Sequence, residues 1–397
     1  MDTLPPELII SILEWAYYDA GALAQPMAEH ISQTSTKSSD ITLKTPDLRT
    51  LKACSLVSPS WREPSQQLIF RSVQFGHGDF GQAIESFYYA TDPSTGRGRR
   101  LGSFVRTVDM LVGHLNVPHH TVRGFPMVLS RCSRLYEVVI RVSGIHEFDE
   151  ETMSELRCLA NGRSAIHIQA LSILLCGIQS PILFQLLGVW PTVRFLRIGT
   201  ELNATPPARS SNLKLYELIL HRNPSPEIAR WLLSNPETDL QIAEFRDVPG
   251  PKWDDLLAEH GARLRSLRLT RYSAHAQAVL RHCPNLEEAV FYQVSPFPQL
   301  VGLPSSLEQL GFRNPVWSSS PSLRSIISVI DTLPRLRIVT CDAATETHPD
   351  FALLQRKCEK RGIELCTDAL PVWTREDPVP VRHFPRRKSV SNFAFMN

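Results

Sequence analysis

The chain has 397 residues, of which 43% are hydrophobic, and this length and composition are sufficient for a substantial core spread over about two domains. Lys and Arg number 42 against 40 Asp and Glu, so the net charge of +2 excludes a general electrostatic attraction to nucleic acid or to an anionic membrane. The 8 cysteines are scattered without a Cys-x-x-Cys pair, which favours buried thiols over a disulfide framework.

The N-terminus predicts a helix over residues 5 to 16. Pro5, Pro6 and Glu7 suit a first helical turn, and Thr3 is positioned to cap it. Apolar residues then recur at helical spacing, and they do so again in a second helix that ends at Ser58-Pro59. These residues are Leu8, Ile9, Ile12, Leu13 and Ala16 in the first helix, and Leu48, Leu51, Leu56 and Val57 in the second.

These two segments resemble the F-box, the small helical domain by which substrate receptors of ubiquitin ligases attach to a Skp-type adaptor. The resemblance is carried by Leu4-Pro5, Ile12-Leu13 and Val57-Ser58-x-x-Trp61, and Gln67 to Val73 is similar to the way many fungal members leave the domain. It implies that residues 1–72 bind the adaptor, and through it a cullin. The side chains that it implies for this contact are Leu4, Pro5, Ile12, Leu13, Leu51, Val57 and Trp61.

Two segments lack the pattern of a core. Residues 20–46 interrupt the F-box pattern with a stretch rich in Ser and Thr that has no aromatic residue, so we expect a mobile insertion. Residues 73–100 include the basic, glycine-containing run Gly96-Arg97-Gly98-Arg99-Arg100, which predicts a solvated linker.

Residues 101–370 are organised by repetition of an apolar-x-x-apolar-x-apolar unit. Successive units start 21 to 36 residues apart, a range that brackets the leucine-rich-repeat period of about 20 to 29 residues. Because the pattern arises often by chance in a hydrophobic chain, the regular spacing of the units along the chain matters more than the number of matches. The units are Val105-Val108-Met110, Leu135-Val138-Ile140, Leu171-Leu174-Cys176, Val193-Leu196-Ile198, Leu215-Leu218-Leu220, Leu240-Ala243-Phe245, Leu264-Leu267-Leu269, Leu286-Ala289-Phe291, Leu307-Leu310-Phe312 and Leu336-Val339-Cys341.

Helical stretches fill the gaps between units, as at Ser225 to Leu233 and Trp253 to Gly261. The fold class that this pattern predicts is α/β, with the F-box-like helical domain followed by an irregular leucine-rich-repeat-like solenoid of parallel strands and outer helices. A doubly wound α/β domain is the alternative.

Two further stretches need assignment. Ser164 to Val193 has no charged residue and is long enough to cross a bilayer, but its apolar residues form two shorter clusters, which we assign to a buried strand and a buried helix. Residues 371–397 hold four prolines and five basic residues against two acidic ones, which predicts a disordered tail.

The sequence contains no dinucleotide-binding glycine motif, phosphate loop, nucleophile elbow or His-Glu-x-x-His motif, so we predict no catalytic, metal or cofactor site. Two histidine groups, His114 with His119-His120 and His275 with His282-Cys283, lack a second half at zinc spacing and are assigned structural roles.

We therefore expect a non-enzymatic, cytoplasmic or nuclear substrate-recognition adaptor of a Skp-cullin-F-box ubiquitin ligase, with no nucleic-acid or membrane partner. Its N-terminal domain would bind the Skp-type adaptor and its repeats would bind a target protein. The alternative is a repeat scaffold outside any ligase. Because side chains alternate along a strand, residues between and after the apolar anchors should line a concave face. The target contacts predicted there are Arg197, Arg246, Arg268, Tyr292 and Arg313, which would favour an acidic or phosphorylated partner. The alternative is that they are ordinary solvated or mutually paired surface charges, because Glu137, Glu217, Glu244 and Glu288 share the face.

Overall fold

The computed structural model describes residues 4–17, 48–75, 80–113, 121–162, 165–293, 300, 302–313, 323–368, 377–382, 384 and 396. The predicted insertion at 20–46 lies outside these residues, as do Thr3 and the histidines of the first group, His114, His119 and His120.

Three helices form the N-terminal unit: α1 (Pro6–Tyr17), α2 (Leu48–Cys54) and α3 (Pro59–Arg71). The helix predicted over residues 5 to 16 is confirmed as α1. Pro59 begins α3, where a proline loses no helical hydrogen bond because the first N–H groups have no partner within the helix. Helix α3 ends at Arg71, and the first strand begins at the next residue.

The rest of the described chain builds one twelve-stranded parallel sheet. Its strands are β1 (Ser72–Phe75), β2 (Thr107–Gly113), β3 (Glu137–Ser143), β4 (Ala170–Leu175), β5 (Phe195–Ile198), β6 (Glu217–Leu220), β7 (Ile242–Phe245), β8 (Ser266–Arg271), β9 (Glu288–Gln293), β10 (Gln309–Phe312), β11 (Ile338–Asp342) and β12 (Glu364–Asp368).

Each strand pairs with its neighbours in sequence, so the spatial order is the chain order. A doubly wound domain would reverse the direction of strand addition at a switch point, and no reversal occurs in this sheet. The strand order therefore confirms an α/β solenoid built like a leucine-rich-repeat protein.

Helices connect most of the strands. They are α4 (Phe80–Ala90), α5 (Gly96–Phe104), α6 (Thr121–Ser130), α7 (Glu150–Asn161), α8 (Ile182–Val189), α9 (Pro226–Leu232), α10 (Asp254–His260), α11 (Ala274–Arg281), α12 (Arg324–Val329) and α13 (Phe351–Arg361). Strand β4 and helix α8 are the buried strand and helix predicted for Ser164 to Val193.

The main core lies between the helices and one face of the sheet. Anchors such as Leu196, Leu218 and Ala243 are opposite one another in the strand register and are fully buried against helix residues such as Leu186. We call the other side of the sheet, which points away from this core, the inner face.

The register corrects one predicted repeat unit. Leu171 pairs with Val138 on one side and Leu196 on the other, so the repeat of β4 is Ile168-Leu171-Ile173 and not Leu171-Leu174-Cys176. The error has a simple origin, because both Ile168-Leu171-Ile173 and Leu171-Leu174-Cys176 place apolar residues at the three anchor positions of the unit.

The predicted linker at residues 73–100 instead contributes strand β1 and helices α4 and α5. Thr95 caps α5, its hydroxyl accepting a hydrogen bond from the Gly98 N–H at 2.9 Å. A Cβ on Gly98 would lie 2.0 Å from the Asp92 carbonyl oxygen, so this glycine permits close packing of the backbone and not flexibility.

The predicted disordered tail also differs from the structure where it is described. Val379, Phe384 and Met396 are buried in a second apolar cluster on the inner face. Repeat periodicity could not indicate this packing, because the contacts join residues more than a hundred positions apart in the sequence.

Candidate interaction surfaces

The N-terminal unit has a small core of its own. Ile9 and Leu13 of α1 pack with Leu51 of α2 and Leu68 of α3, and Trp61 packs against this cluster while keeping part of its surface exposed. This cluster joins the three helices, and it uses only part of the apolar surface that their described residues carry.

The apolar surface of helix α1 extends beyond this core. Leu8 and Ile12 are four residues apart, like the buried pair Ile9 and Leu13, yet each exposes about half of its side chain, and so does Leu4 just before the helix. The turn after α2 exposes two more apolar side chains, Leu56 at 81% and Val57 at 66%. We call Leu4, Leu8, Ile12, Leu56 and Val57 the docking surface.

The structure divides the residues predicted to bind the adaptor into two groups. Leu4, Pro5, Ile12 and Val57 are exposed, and Trp61 is half-buried. Leu13 and Leu51 are fully buried in the unit's own core, so they support the surface without belonging to it. Leu8 and Leu56 were not among the predicted contacts, although they are at least as exposed as Ile12.

The inner face carries a network of charged groups. The Tyr292 hydroxyl donates to the Glu244 carboxylate at 2.9 Å, and the guanidinium of Arg246 lies 3.6 Å from the same carboxylate. Burial and the neighbouring Glu244 raise the pKa of Tyr292 well above its usual value, which keeps the hydroxyl protonated as a donor.

A second pair lies on the adjacent strands. Arg268 donates to one carboxylate oxygen of Glu288 from two nitrogens at 3.1 and 3.2 Å, and the Ser266 hydroxyl donates to that oxygen at 2.6 Å. Glu288 is only 2% exposed and Arg268 9% exposed, so the charges are paired in a largely dehydrated setting.

Arg197 and His221 form a third contact of the inner face. The Arg197 Nε donates to the imidazole Nε2 at 3.1 Å. Burial, with the positive charges of Arg246 and Arg197, lowers the pKa of His221 to about 2, so the imidazole is neutral and can accept this hydrogen bond.

The predicted target contacts therefore do lie on the inner face, but their environments differ. Tyr292 and Arg268 are buried and bind neighbouring side chains. Arg197, Arg246 and Arg313 are half-buried and retain some solvent exposure. Alternation along the strands predicted which side these residues occupy, whereas their pairing depends on cross-strand neighbours that the alternation does not specify.

The C-terminal residues 377–382 and 384, which we call the strap, cross the inner face near the starts of the strands. The Tyr136 hydroxyl, just before β3, donates to the Pro378 carbonyl at 2.8 Å. The Tyr216 hydroxyl, just before β6, donates to the Val381 carbonyl at 3.0 Å and accepts from the Val381 N–H at 2.8 Å.

Other kinds of site find little support in the described residues. They contain no group of three His, Cys, Asp or Glu side chains placed to hold a metal ion. None of their helices is long and apolar enough to cross a bilayer. All eight cysteines are free thiols, and burial raises the pKa of Cys283 to about 12 and of Cys176 to about 11, which makes both poor nucleophiles.

Comparison with known proteins finds similarity in structure but none in sequence. No model of a known protein family matches the sequence, and no curated protein matches it. The crystal structure of the leucine-rich repeat-containing protein LegL7 from Legionella pneumophila is similar with a TM-score of 0.43 and 13% sequence identity, covering 75% of this chain and 89% of that chain. A similarity with this TM-score and sequence identity carries no functional information. The leucine-rich-repeat-like architecture follows from the sequential parallel strands and the repeat phase of this chain.

Proposed function

We propose that this protein is a non-catalytic substrate-recognition adaptor of a Skp-cullin-F-box ubiquitin ligase. In this proposal the α1–α3 unit binds a Skp-type adaptor, and through it a cullin, while the repeat sheet binds the protein to be ubiquitylated. The protein would act in the cytoplasm or the nucleus. Solenoid sheets suit such a role because stacked repeats offer an extended surface to a partner.

The observation that carries the proposal is the exposed apolar stripe of α1. An apolar stripe on a helix is expected to be buried, yet among the described side chains of α1 the α1–α3 core buries Ile9 and Leu13 and leaves Leu8 and Ile12 exposed. Leu8 and Ile12 are four residues apart, about 6 Å along the helix, and with Leu4, which precedes the helix, they form an exposed apolar stripe. A stripe of this kind fits a protein partner with a complementary apolar groove.

The energy available at this surface is adequate for specific binding. Burying one leucine, isoleucine or valine side chain contributes about 1.5 to 3 kcal/mol, and a few such side chains normally dominate an interface. The motif Leu4-Pro5 with Val57-Ser58-x-x-Trp61 supplies the specific resemblance to an F-box. Part of that motif, Leu4, Pro5 and Val57, is exposed where a partner can reach it.

The test is direct binding of a purified Skp-type adaptor to the full chain. Leu8→Asp combined with Ile12→Asp places two charges on the docking surface and should reduce adaptor affinity at least about a hundredfold. Leu353→Asp is the matched control, because Leu353 lies on α13 and is 47% exposed, against 51% for Leu8. The control should bind like the unaltered chain.

Unchanged adaptor binding by the double variant would remove the docking assignment. Capture from a native lysate then separates the two functional alternatives. A cullin that co-purifies with the unaltered chain, and is lost with the double variant, supports the ligase. An adaptor that co-purifies without a cullin supports a scaffold outside any ligase.

A further inference from the structure

The strap contacts the sheet in the way that a bound peptide contacts a receptor. Pro378 lies at the start of β3 and Val381 at the start of β6, so three residues of strap cross three strands. Three fully extended residues span about 10 Å, whereas three steps between strands span about 14 Å, so the two tyrosine side chains bridge the remaining distance. The strap also bends at Pro378, where the Val379 N–H donates to the Asp377 carbonyl at 2.9 Å. The described strap residues belong to no strand of the sheet.

Hydrogen bonds to the strap come mainly from side chains of the sheet and go to its main chain. Tyr136 and Tyr216 bind the carbonyls of Pro378 and Val381, and Arg265 donates to the Arg382 carbonyl at 3.2 Å. Contacts of this kind depend little on the side chains of the bound segment. In extended-peptide recognition, main-chain hydrogen bonds supply affinity and side-chain pockets supply specificity.

Two apolar positions of the strap supply the side-chain contacts. Val379 and Phe384 are buried in a cluster with Phe195, Tyr216 and Ile242. This cluster is separate from the main core between sheet and helices. The Phe384 ring also lies under the guanidinium of Arg265, whose carbon is 5.2 Å from the ring centre.

Charged groups fix both ends of the strap's path. Arg265 is held in place by two hydrogen bonds to the Glu287 carboxylate, at 2.7 and 2.8 Å, which orient it over Phe384. At the other end, Arg71 is 5% exposed and lies 3.3 Å from the Asp377 carboxylate. The path thus has a basic group at each end and an apolar centre.

We propose that this path is a peptide-binding groove for a short segment of the target protein, and that the strap occupies it as an intramolecular competitor. The ligand class is a short segment with an acidic residue, a Pro-Val pair and, five residues after the valine, an aromatic residue. The proposal rests on the proposed function in one respect, namely that the segment belongs to a captured target. A tethered competitor acts at an effective concentration of about millimolar, so the target segment must bind the groove more tightly than the strap in order to displace it.

The groove is tested with a fluorescent peptide of the sequence of residues 377–384 and with full-length protein. The unaltered chain should bind it weakly, because its own strap competes. Val379→Asp with Phe384→Asp in the strap should release the groove and raise the affinity for the peptide at least about tenfold. A peptide carrying the same two aspartates should bind neither protein.

Tyr216→Phe, introduced into the released variant, removes both hydrogen bonds to Val381 and should weaken peptide binding about tenfold. Tyr89→Phe is its control, since Tyr89 on α4 is 90% exposed, and it should change nothing. Equal peptide affinity of the unaltered and released proteins, or equal effects of the two tyrosine changes, would overturn the proposal.

Hydrogen exchange decides between a competitor and a permanent part of the fold. The amides of Val379, Val381 and Arg382 should exchange at least about a hundredfold faster than those of β3 to β8, as expected for a segment that opens locally. Exchange as slow as that of the sheet, or unfolding of the released variant, would make the strap part of the core and refute the proposal.

Adaptor binding is measured on the same proteins and should be equal in all of them. Its absence in every protein would end the ligase assignment while leaving the peptide result intact.

Discussion

Arg268→Ala removes the guanidinium that pairs with Glu288 on the inner face. Glu288 is 2% exposed, so the variant leaves a carboxylate in a dehydrated site. Breaking a buried pair from one side costs about 3 to 5 kcal/mol of stability. The Ser266 hydroxyl still donates to the carboxylate at 2.6 Å, and a hydrogen bond to a charged group contributes about 1.5 to 3 kcal/mol. Because this bond partly compensates the remaining charge, we expect a loss of about 1 to 3 kcal/mol.

Urea unfolding of the full chain measures this loss as a lower midpoint at unchanged slope. The matched control is Arg222→Ala, because Arg222 pairs with Asp247 at 3.2 Å while both side chains are exposed. Exposed pairs contribute about 0 to 1 kcal/mol, so the control should unfold almost like the unaltered chain.

A double variant separates pairing from packing. Arg268→Met with Glu288→Leu removes both charges and keeps apolar volume, so it should be more stable than Arg268→Ala by about 1 kcal/mol or more. If Arg268→Ala unfolds at the same urea concentration as Arg222→Ala, the pair is not structural. Arg268 would then return to the residues available for target contact.

Three further predictions test other parts of the molecule. Leu13→Ala should lower the free energy of unfolding by about 2 to 5 kcal/mol, because Leu13 is fully buried in the α1–α3 core, whereas the exposed Leu56→Ala should change it by about 0.5 kcal/mol or less in the same urea titration. Acidification from pH 7.5 to 5.5 should lower the free energy of unfolding by about 1.4 kcal/mol through His221. The imidazole of the unfolded chain, with a pKa of about 6.5, takes up a proton over this range, whereas the folded one, with a pKa of about 2, does not. His221→Asn should lack that part of the pH dependence. Gly98→Ala should lower the free energy of unfolding by about 2 kcal/mol or more, because the added Cβ collides with the Asp92 backbone. Gly96→Ala, whose Cβ would approach no backbone atom, should leave the stability unchanged or raise it slightly in thermal unfolding.

Each of these predictions has a clear contrary result. Equal unfolding midpoints for Leu13→Ala and Leu56→Ala would show that the α1–α3 core is wrongly assigned. A His221→Asn variant with the pH dependence of the unaltered chain would show that His221 titrates normally. Gly98→Ala and Gly96→Ala variants of equal stability would contradict the close approach of α5 to Asp92.

Helices and strands with strong local signals were predictable from the sequence. The proline-led start of α1, the Ser225 cap of α9 and the anchors of strands such as β5 and β8 all coincide with the structure. In each case the residues that form the element also carry its signal. Strand β12 had no such signal, because Gly362 and Thr367 replace apolar anchors and its pairing with β11 provides the context instead.

Features that depend on distant residues were not predictable in this way. Glycines in the run from Gly96 to Arg100 indicate flexibility when read alone, but Gly98 is required by the backbone of Asp92. The tail has the composition of a disordered segment, yet Val379 is buried through partners that lie on β5 to β7. Local composition reports the propensity of a segment, and tertiary contacts decide its final state.

The same distinction determines which variants can report on target binding. Arg268 and Tyr292 have the residue types expected at a binding hot spot, but their charged and hydroxyl groups support the sheet. Loss of target binding in an Arg268 variant would therefore reflect a weakened fold. Tyr216→Phe is more informative, because it keeps the ring that packs 5.5 Å from Phe195 and removes only the hydroxyl that contacts the strap. A target that depends on the groove should lose affinity with Tyr216→Phe while the free energy of unfolding stays within about 1 kcal/mol of the unaltered value.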